Sequence, residues 1–413
     1  MAILFRDIRL IDGLSPIARE HVDVRIDAGM VGAIAAHRQD GEPPTDDHLD
    51  VVDGAGRTLL PGLIDAHAHY TFDPAEGSLQ RIAGRSDDAI ARAAADHAAR
   101  ALGAGITTAR GAGSIRNLEV ALRDDIAAGR IVGPRLVVAG TAVGTIGGHG
   151  SAFGLEADGP LALAAATRAV IDGGADVVKA VASEAAMLTT TGLAPGHLVH
   201  GAAELTEAEL RAIVDVATER GIRVMAHAQD GTSVIRSARA GVASVEHAWL
   251  ADEAAIEGLA ASGAFLVPTL IVTDVNRTLP GLTQPQRERQ DRIERRHRAS
   301  TETAIRLGVP VAAGTDTGEV GVTADLLWRE IALLHDHGAS PMEAIQAATS
   351  GAARLLGVAH EVGTVEVGRR ADLVMVDGDP LADLRRLARP RLVVQGGRVV
   401  AGADGQGATP MNR

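Results

Sequence analysis

The chain has 413 residues, 46% of them apolar, and a formal net charge of −13. That length exceeds one small core and suffices for a large domain with a minor one beside it. The negative charge argues against non-specific binding to nucleic acid or anionic membrane, and the absence of cysteine excludes disulfides and thiolate metal ligands.

The opening stretch, MAILFRDIRLIDG, meets charge at Arg6, too early for the apolar region of a signal peptide. No uncharged apolar run of roughly 18 residues occurs, so a soluble cytoplasmic protein is expected, with no membrane and no nucleic-acid partner. Residues 1–56 read as short strands and turns: ILFRDIRLIDG, HVDVRIDAGMVGAIAA and LDVVDGAG alternate apolar with polar residues and end in Gly or Asp. The same texture returns from Glu361, in EVGTVEVGRRADLVMVDGD and RLVVQGGRVVAG. Residues 1–56 and 361–413 are therefore expected to form one small β domain, with a frayed tail after Ala401.

Residues 57–360 alternate apolar strand-like runs with Ala-rich helical patterns. The runs are TLLPGLIDAHAH, ITTARGAG, PRLVVAG, ADVVKAVAS, IRVMAHAQ, ASVEHA, AFLVPTL and VPVAAGTDTG. Apolar strands each followed by a helix indicate an α/β protein with a parallel sheet covered on both faces, and eight such units fit a closed (β/α)8 TIM barrel. In LTEAELRAIVDVATERG, Thr206 reads as N-cap, Glu209 completes a capping box and Gly221 follows the last turn. The charged first half of QPQRERQDRIERRHRASTETAIRLG reads as a solvated face. GTIGGHG, after PRLVVAG, loosely resembles a dinucleotide glycine loop, but no regular helix opens at once and no acidic residue follows at the right distance.

Alternate residues of a strand share a face, so His67 and His69 point together at the end of the first barrel strand. The C-terminal face of such a barrel carries chemistry, and two parallel imidazoles suit a metal ion. H-x-H alone fits two unrelated loop histidines equally well. Further polar residues sit at or near the ends of other runs: Lys179, His227, His247 and Asp316. Burying such groups singly costs several kcal/mol, roughly, whereas together they can satisfy one another or a cation. Of 40 basic residues, Lys179 alone is lysine. A desolvated lysine becomes a neutral amine able to add CO2 and form a carbamate that bridges two ions. The alternative is a chance survivor of composition, paired with a buried carboxylate.

H-x-H on strand 1, Lys on strand 4, His on strands 5 and 6 and Asp on strand 8 resemble the metal-dependent amidohydrolase superfamily. LLPGLIDAHAH, GITTAR, GGHG, AHA followed by SVEHA, VPTL, GTD and EVGTVEVGRRADLVMVDGDPL fit its pattern across nearly the whole chain. The branch is similar to imidazolonepropionase-like proteins and prolidase-type peptidases with a carboxylated lysine. The resemblance implies a barrel plus a β-sandwich built from both chain ends. It implies that His67, His69 and Asp316 hold one divalent ion and that His227 and His247 hold a second, with carboxylated Lys179 and a hydroxide bridging them. Zn2+ suits these ligands, and Mn2+, Co2+ or Fe2+ could occupy the same atoms. Asp316 would shuttle the proton, and His149 would contact a substrate carbonyl or carboxylate.

Arg110 either meets a substrate carboxylate or serves a structural ion pair at the barrel rim. Tyr70, Phe72, Phe153 and Trp249 lie near these residues in sequence and either wall the pocket or pack the loops. This chain departs from the branch's pattern at ASEAA after the lysine, where Glu184 intrudes, and at Gln229, two residues after His227; both changes fall where substrate would sit. The resulting expectation is a homo-oligomeric binuclear hydrolase cleaving an amide-type C–N bond of a small molecule such as a dipeptide or N-acyl amino acid. The alternatives are a hydrolase of neutral carbamates, ureas, anilides or lactones, and a non-catalytic ligand-binding barrel.

Overall fold

The computed structural model describes residues 2–38, 49–75, 79–185 and 202–402. Both chain ends meet in one mixed sheet. Its strands are β1 (Ala2–Leu10), β2 (Arg19–Asp27), β3 (Met30–Ala36), β4 (Leu49–Asp53) and β5 (Arg57–Pro61), joined by three strands from the C-terminal segment near the end of the chain. Val22, Val24 and Ile26 alternate inward on β2, against Ile3, Phe5 and Ile8 of β1. Ala28 and Gly29 close the β2–β3 hairpin with φ of 49° and 85°, the two left-handed residues that a tight two-residue hairpin loop requires.

TLLPGLIDAHAH, read as one strand, is two. Pro61 ends β5, which belongs to the terminal sheet, and β6 (Leu63–Ala68) starts the parallel part. Gly62 makes the transfer: its N–H bonds Asp372, and a Cβ there would lie 2.1 Å from Thr107 Oγ1.

The parallel strands form two sheets. One contains β6, β7 (Ile106–Gly111) and β8 (Arg135–Val138). The other contains β9 (Ala142–Gly144), β10 (Gly154–Glu156), β11 (Val177–Val181), β12 (Arg223–Asp230), β13 (Ser244–Leu250) and β14 (Phe265–Val267), in the order β10-β9-β11-β12-β13-β14. β6, β7 and β11 are buried at every position, which is why their sequences are apolar runs without alternation. The eighth run, 309–318, is not a regular strand. It nonetheless bonds both sheets: Ala312 N–H to Leu266 O at 3.0 Å, Ala66 N–H to Ala313 O at 2.9 Å and Asp316 N–H to His67 O at 2.7 Å. Between β8 and β11, Asp176 N–H donates to Val138 O at 2.8 Å.

The expected helix after Thr206 spans Glu207–Glu219, with the Thr206–Glu209 capping box formed. The long helix Gln284–Arg306 buries Gln290, Ile293, His297 and Ala304, spaced to give one inward face, and its charged residues are left to solvent. The C-terminal segment supplies β15 (Leu373–Asp377), β16 (Leu392–Gln395) and β17 (Arg398–Gly402), with β15 antiparallel to β5.

Candidate metal centre

Six polar side chains from β6, β11, β12, β13 and segment 309–318 converge. His67 and His69 share a face of β6, their ring centroids 5.3 Å apart. Asp316 Oδ1 lies 3.3 Å from Nε2 of both rings, and Lys179 Nζ, from β11, lies 3.3 Å from His67 Nε2. The His247 ring is 5.0 Å from His67 and 4.6 Å from His227, and His149 stands 4.8 Å beyond His227. His67, His247 and Asp316 each offer a ligand atom within 4.8 Å of the others.

The imidazoles are oriented from behind. His67 Nδ1 donates to Glu246 Oε2 at 2.7 Å, and His69 Nδ1 to the Gly113 carbonyl at 2.9 Å. The Thr269 hydroxyl donates to the Pro268 carbonyl at 2.6 Å, which leaves its oxygen to accept from His247 Nδ1 at 2.8 Å. In the neutral ring each arrangement puts the lone pair on Nε2, and that of His67 meets Lys179 Nζ. Backbone strain marks the same place: His247, Ala248, Thr269 and Asp316 have φ of 74°, 51°, 55° and 59°. Non-glycine residues hold that conformation only where their surroundings over-determine it. Asp65 supplies part of the constraint, accepting from Thr315 Oγ1 at 2.6 Å and from the His67 and Thr315 amides.

Burial keeps the ring nitrogens neutral, lowering His69, His227 and His247 and taking His149 to about 4. Burial likewise brings the Lys179 amine down to about 8, against the opposing pull of Glu246 and Asp316. Burial alone would raise Asp316, but His67, His69 and His247 hold it well below the usual carboxylate range. His227 Nε2 is buried with no hydrogen-bond partner among the described residues. Neutral imidazoles, an ionised carboxylate, a buried amine and one orphaned nitrogen fit a divalent cation as their common partner.

A small cleft of about 30 Å³ opens over this group. His149, Phe153, Gln229 and Trp249 line it as the sequence reading expected. Phe72 stacks on His69 at 4.2 Å and meets Phe153 edge-on at 5.4 Å, so these rings form one wall. Two expected substrate contacts do not reach it. Arg110 is 2% exposed and lies inside the parallel layer, paired with Glu246 at 3.0 Å rather than at a rim. Tyr70 is 1% exposed, absent from the cleft lining, and belongs to the apolar core that also contains Leu270 and Leu327. Glu184 stands outside the lining, its N–H bonded to Ala202 O.

The sequence reading names neither the supporting Asp65 and Thr269 nor two further carboxylates, Glu319 and Glu246. Glu319 lines the cleft, and burial plus the nearby Asp316 charge push its carboxyl up to about 8. Glu246 is fully buried behind His67, where burial would raise it but Arg110 and the His67 bond bring it to about 2. A lone carboxylate inside the apolar run ASVEHA was the available signal.

The amidohydrolase family model matches residues 58–400, so the chain belongs to the amidohydrolase family. Ochratoxinase of Aspergillus niger is 29% identical over 381 residues, covering 83% of this chain and 76% of that protein. Imidazolonepropionase of Ectopseudomonas mendocina is 26% identical, covering 96% of this chain and 95% of its own length. A solved Xaa-Pro dipeptidase with methionine bound in its active site superposes with a TM-score of 0.84 at 26% identity, over 97% of this chain and 99% of that one. The protein is a hydrolytic enzyme with an α/β fold of the amidohydrolase type.

Proposed function

We propose that the enzyme hydrolyses an amide-type C–N bond of a small substrate with the help of two divalent cations. The observation that carries this reading is the orphaned His227 Nε2 in a set of neutral imidazoles facing Asp316. In this reading His67, His69 and Asp316 would hold one ion and His227 and His247 the other, and Lys179, as its CO2-derived carbamate, would be a further ligand. Bound ions would polarise the substrate carbonyl and lower the pKa of a coordinated water to about 7. Asp316 takes the proton of the attacking water and delivers it to the leaving nitrogen. His149 contacts the carbonyl side, while Phe72, Phe153 and Trp249 exclude bulk water. The two parallel sheets and segment 309–318 are then one (β/α)8 barrel with a terminal β-sandwich.

A dipeptide or N-acyl amino acid is the first substrate class, with His149 meeting its carboxylate. A neutral carbamate, urea, anilide or lactone is the second, favoured by the burial of Arg110 away from the cleft. The deciding assay measures product release by metal-replete enzyme on matched carboxylate-bearing and neutral panels, with a chelated control. Turnover that chelation does not abolish would overturn the metal reading. Lys179→Arg should keep the fold and lose binuclear loading by elemental analysis; normal loading would overturn the carbamate.

A further inference from the structure

Beneath the centre lies a buried ion pair that the chemistry above leaves unused. Glu246 accepts from His67 Nδ1 at 2.7 Å through Oε2. Arg110 Nη2 donates to both Glu246 oxygens at 3.0 Å, its Nη1 to Ser244 Oγ at 3.0 Å and its Nε to the Ala66 carbonyl at 2.6 Å. The guanidinium thereby ties β7 to β13 and to the backbone immediately before His67. A buried pair of this kind adds little stability over apolar residues of the same volume, so packing alone gives no reason for it. The acceptors also differ in kind. His69 donates to a carbonyl and His247 to a hydroxyl; of the three, His67 alone donates to a carboxylate. An anionic acceptor fixes the tautomer and raises the basicity of the opposite nitrogen.

We infer that Glu246 is a positioning residue for the metal centre and Arg110 its anchor, so that the ion on His67 is the tighter of the two. The inference rests on the reading of His67 as a ligand. It makes Arg110 part of the metal centre's support instead of a substrate receptor.

The test is Zn2+ titration of the chelator-stripped enzyme against a chromophoric competitor, with Co2+ absorption spectra read in parallel. The proteins are wild type, Glu246→Gln, the double variant Glu246→Gln/Arg110→Met, and His67→Asn. Glu246→Gln should weaken the tighter equivalent roughly 10–100-fold, change the Co2+ spectrum and leave the weaker equivalent within about twofold. The double variant buries no unpaired charge; it is judged by the same criterion and decides the matter if the single variant does not fold. Wild-type affinity for the tighter ion in either variant, with that ion lost in His67→Asn, overturns the inference and leaves the metal reading standing. A wild-type enzyme that takes up no ion overturns both.

Discussion

The terminal sheet and the carboxyl ends of the parallel strands treat charge and strain in opposite ways. In the sheet, Ile3, Phe5, Val22 and Val24 fill the inner face, while pairs such as Arg9–Glu20 at 2.6 Å and Arg57–Asp377 at 3.2 Å stay on the outside. Its left-handed non-glycine residues, Asp7, His21 and Ala28, sit at register shifts or a turn. At the candidate metal centre the charges are inside, and left-handed residues such as His247 and Ala248 interrupt a strand itself. Strain at the sheet relieves a bulge, whereas strain at His247 and Asp316 aims side chains. A region selected for stability would not bury Lys179, Arg110, Glu246 and Asp316 within one layer.

The largest effect should come from the group asked to move a proton. Asp316→Asn keeps the shape but not the base, so kcat should fall about 10²–10⁴-fold while substrate still binds. Steady-state kinetics with a direct binding measurement would check this; a near-normal kcat would make another residue the base and dissolve the contrast at its centre.

Next comes the buried pair. Arg110→Met leaves Glu246 as an unpaired charge, and breaking such a pair costs about 3–5 kcal/mol. Denaturant unfolding of the chelated protein measures it, and a loss under about 1 kcal/mol would mean that Glu246 is effectively solvated.

Period-two reading found His67 and His69 because β6 is regular up to its end. His227, His247 and Asp316 stand out as polar residues at or near the ends of apolar runs, and Lys179 as the one lysine, inside an apolar strand. It could not orient Arg110, since ITTARG is buried on both faces and alternation no longer separates inside from outside. It missed Glu246 for a related reason. In a regular strand Glu246 and His247 would face opposite ways, but φ of 74° at His247 breaks the alternation and both reach His67. The break between β5 and β6 was hidden because Pro61 and Gly62 sit within one apolar stretch, and only the pairing with β15 and β1 reveals two sheets.

A smaller effect separates the regions by pH. Glu119 is fully buried, accepting from the Tyr70 amide at 2.7 Å, and burial raises its carboxyl to about 8, against the pull of that bond. A carboxyl raised on folding binds its proton more tightly in the native state. Its contribution is therefore full below the unfolded value near 4.5 and is lost as pH rises through about 8. Glu119→Gln cannot ionise, so its stability should fall less than that of wild type between pH 5 and 8. The difference is at most about 1.4 kcal/mol per pH unit for this one proton. Parallel stability profiles would mean that Glu119 is already ionised at pH 5.

The smallest effect belongs to the sheet's exterior. Glu20 is about half exposed beside Arg9, and Arg9 has a second carboxylate partner in Asp379. Glu20→Gln removes one screened interaction and leaves no buried charge behind. The change in unfolding free energy should stay under about 1 kcal/mol, and high salt should shrink it further. A loss comparable to that of Arg110→Met would show that the Arg9 cluster is held as rigidly as the candidate metal centre. The boundary between a stability-bearing sheet and a strained site would then have to be drawn elsewhere.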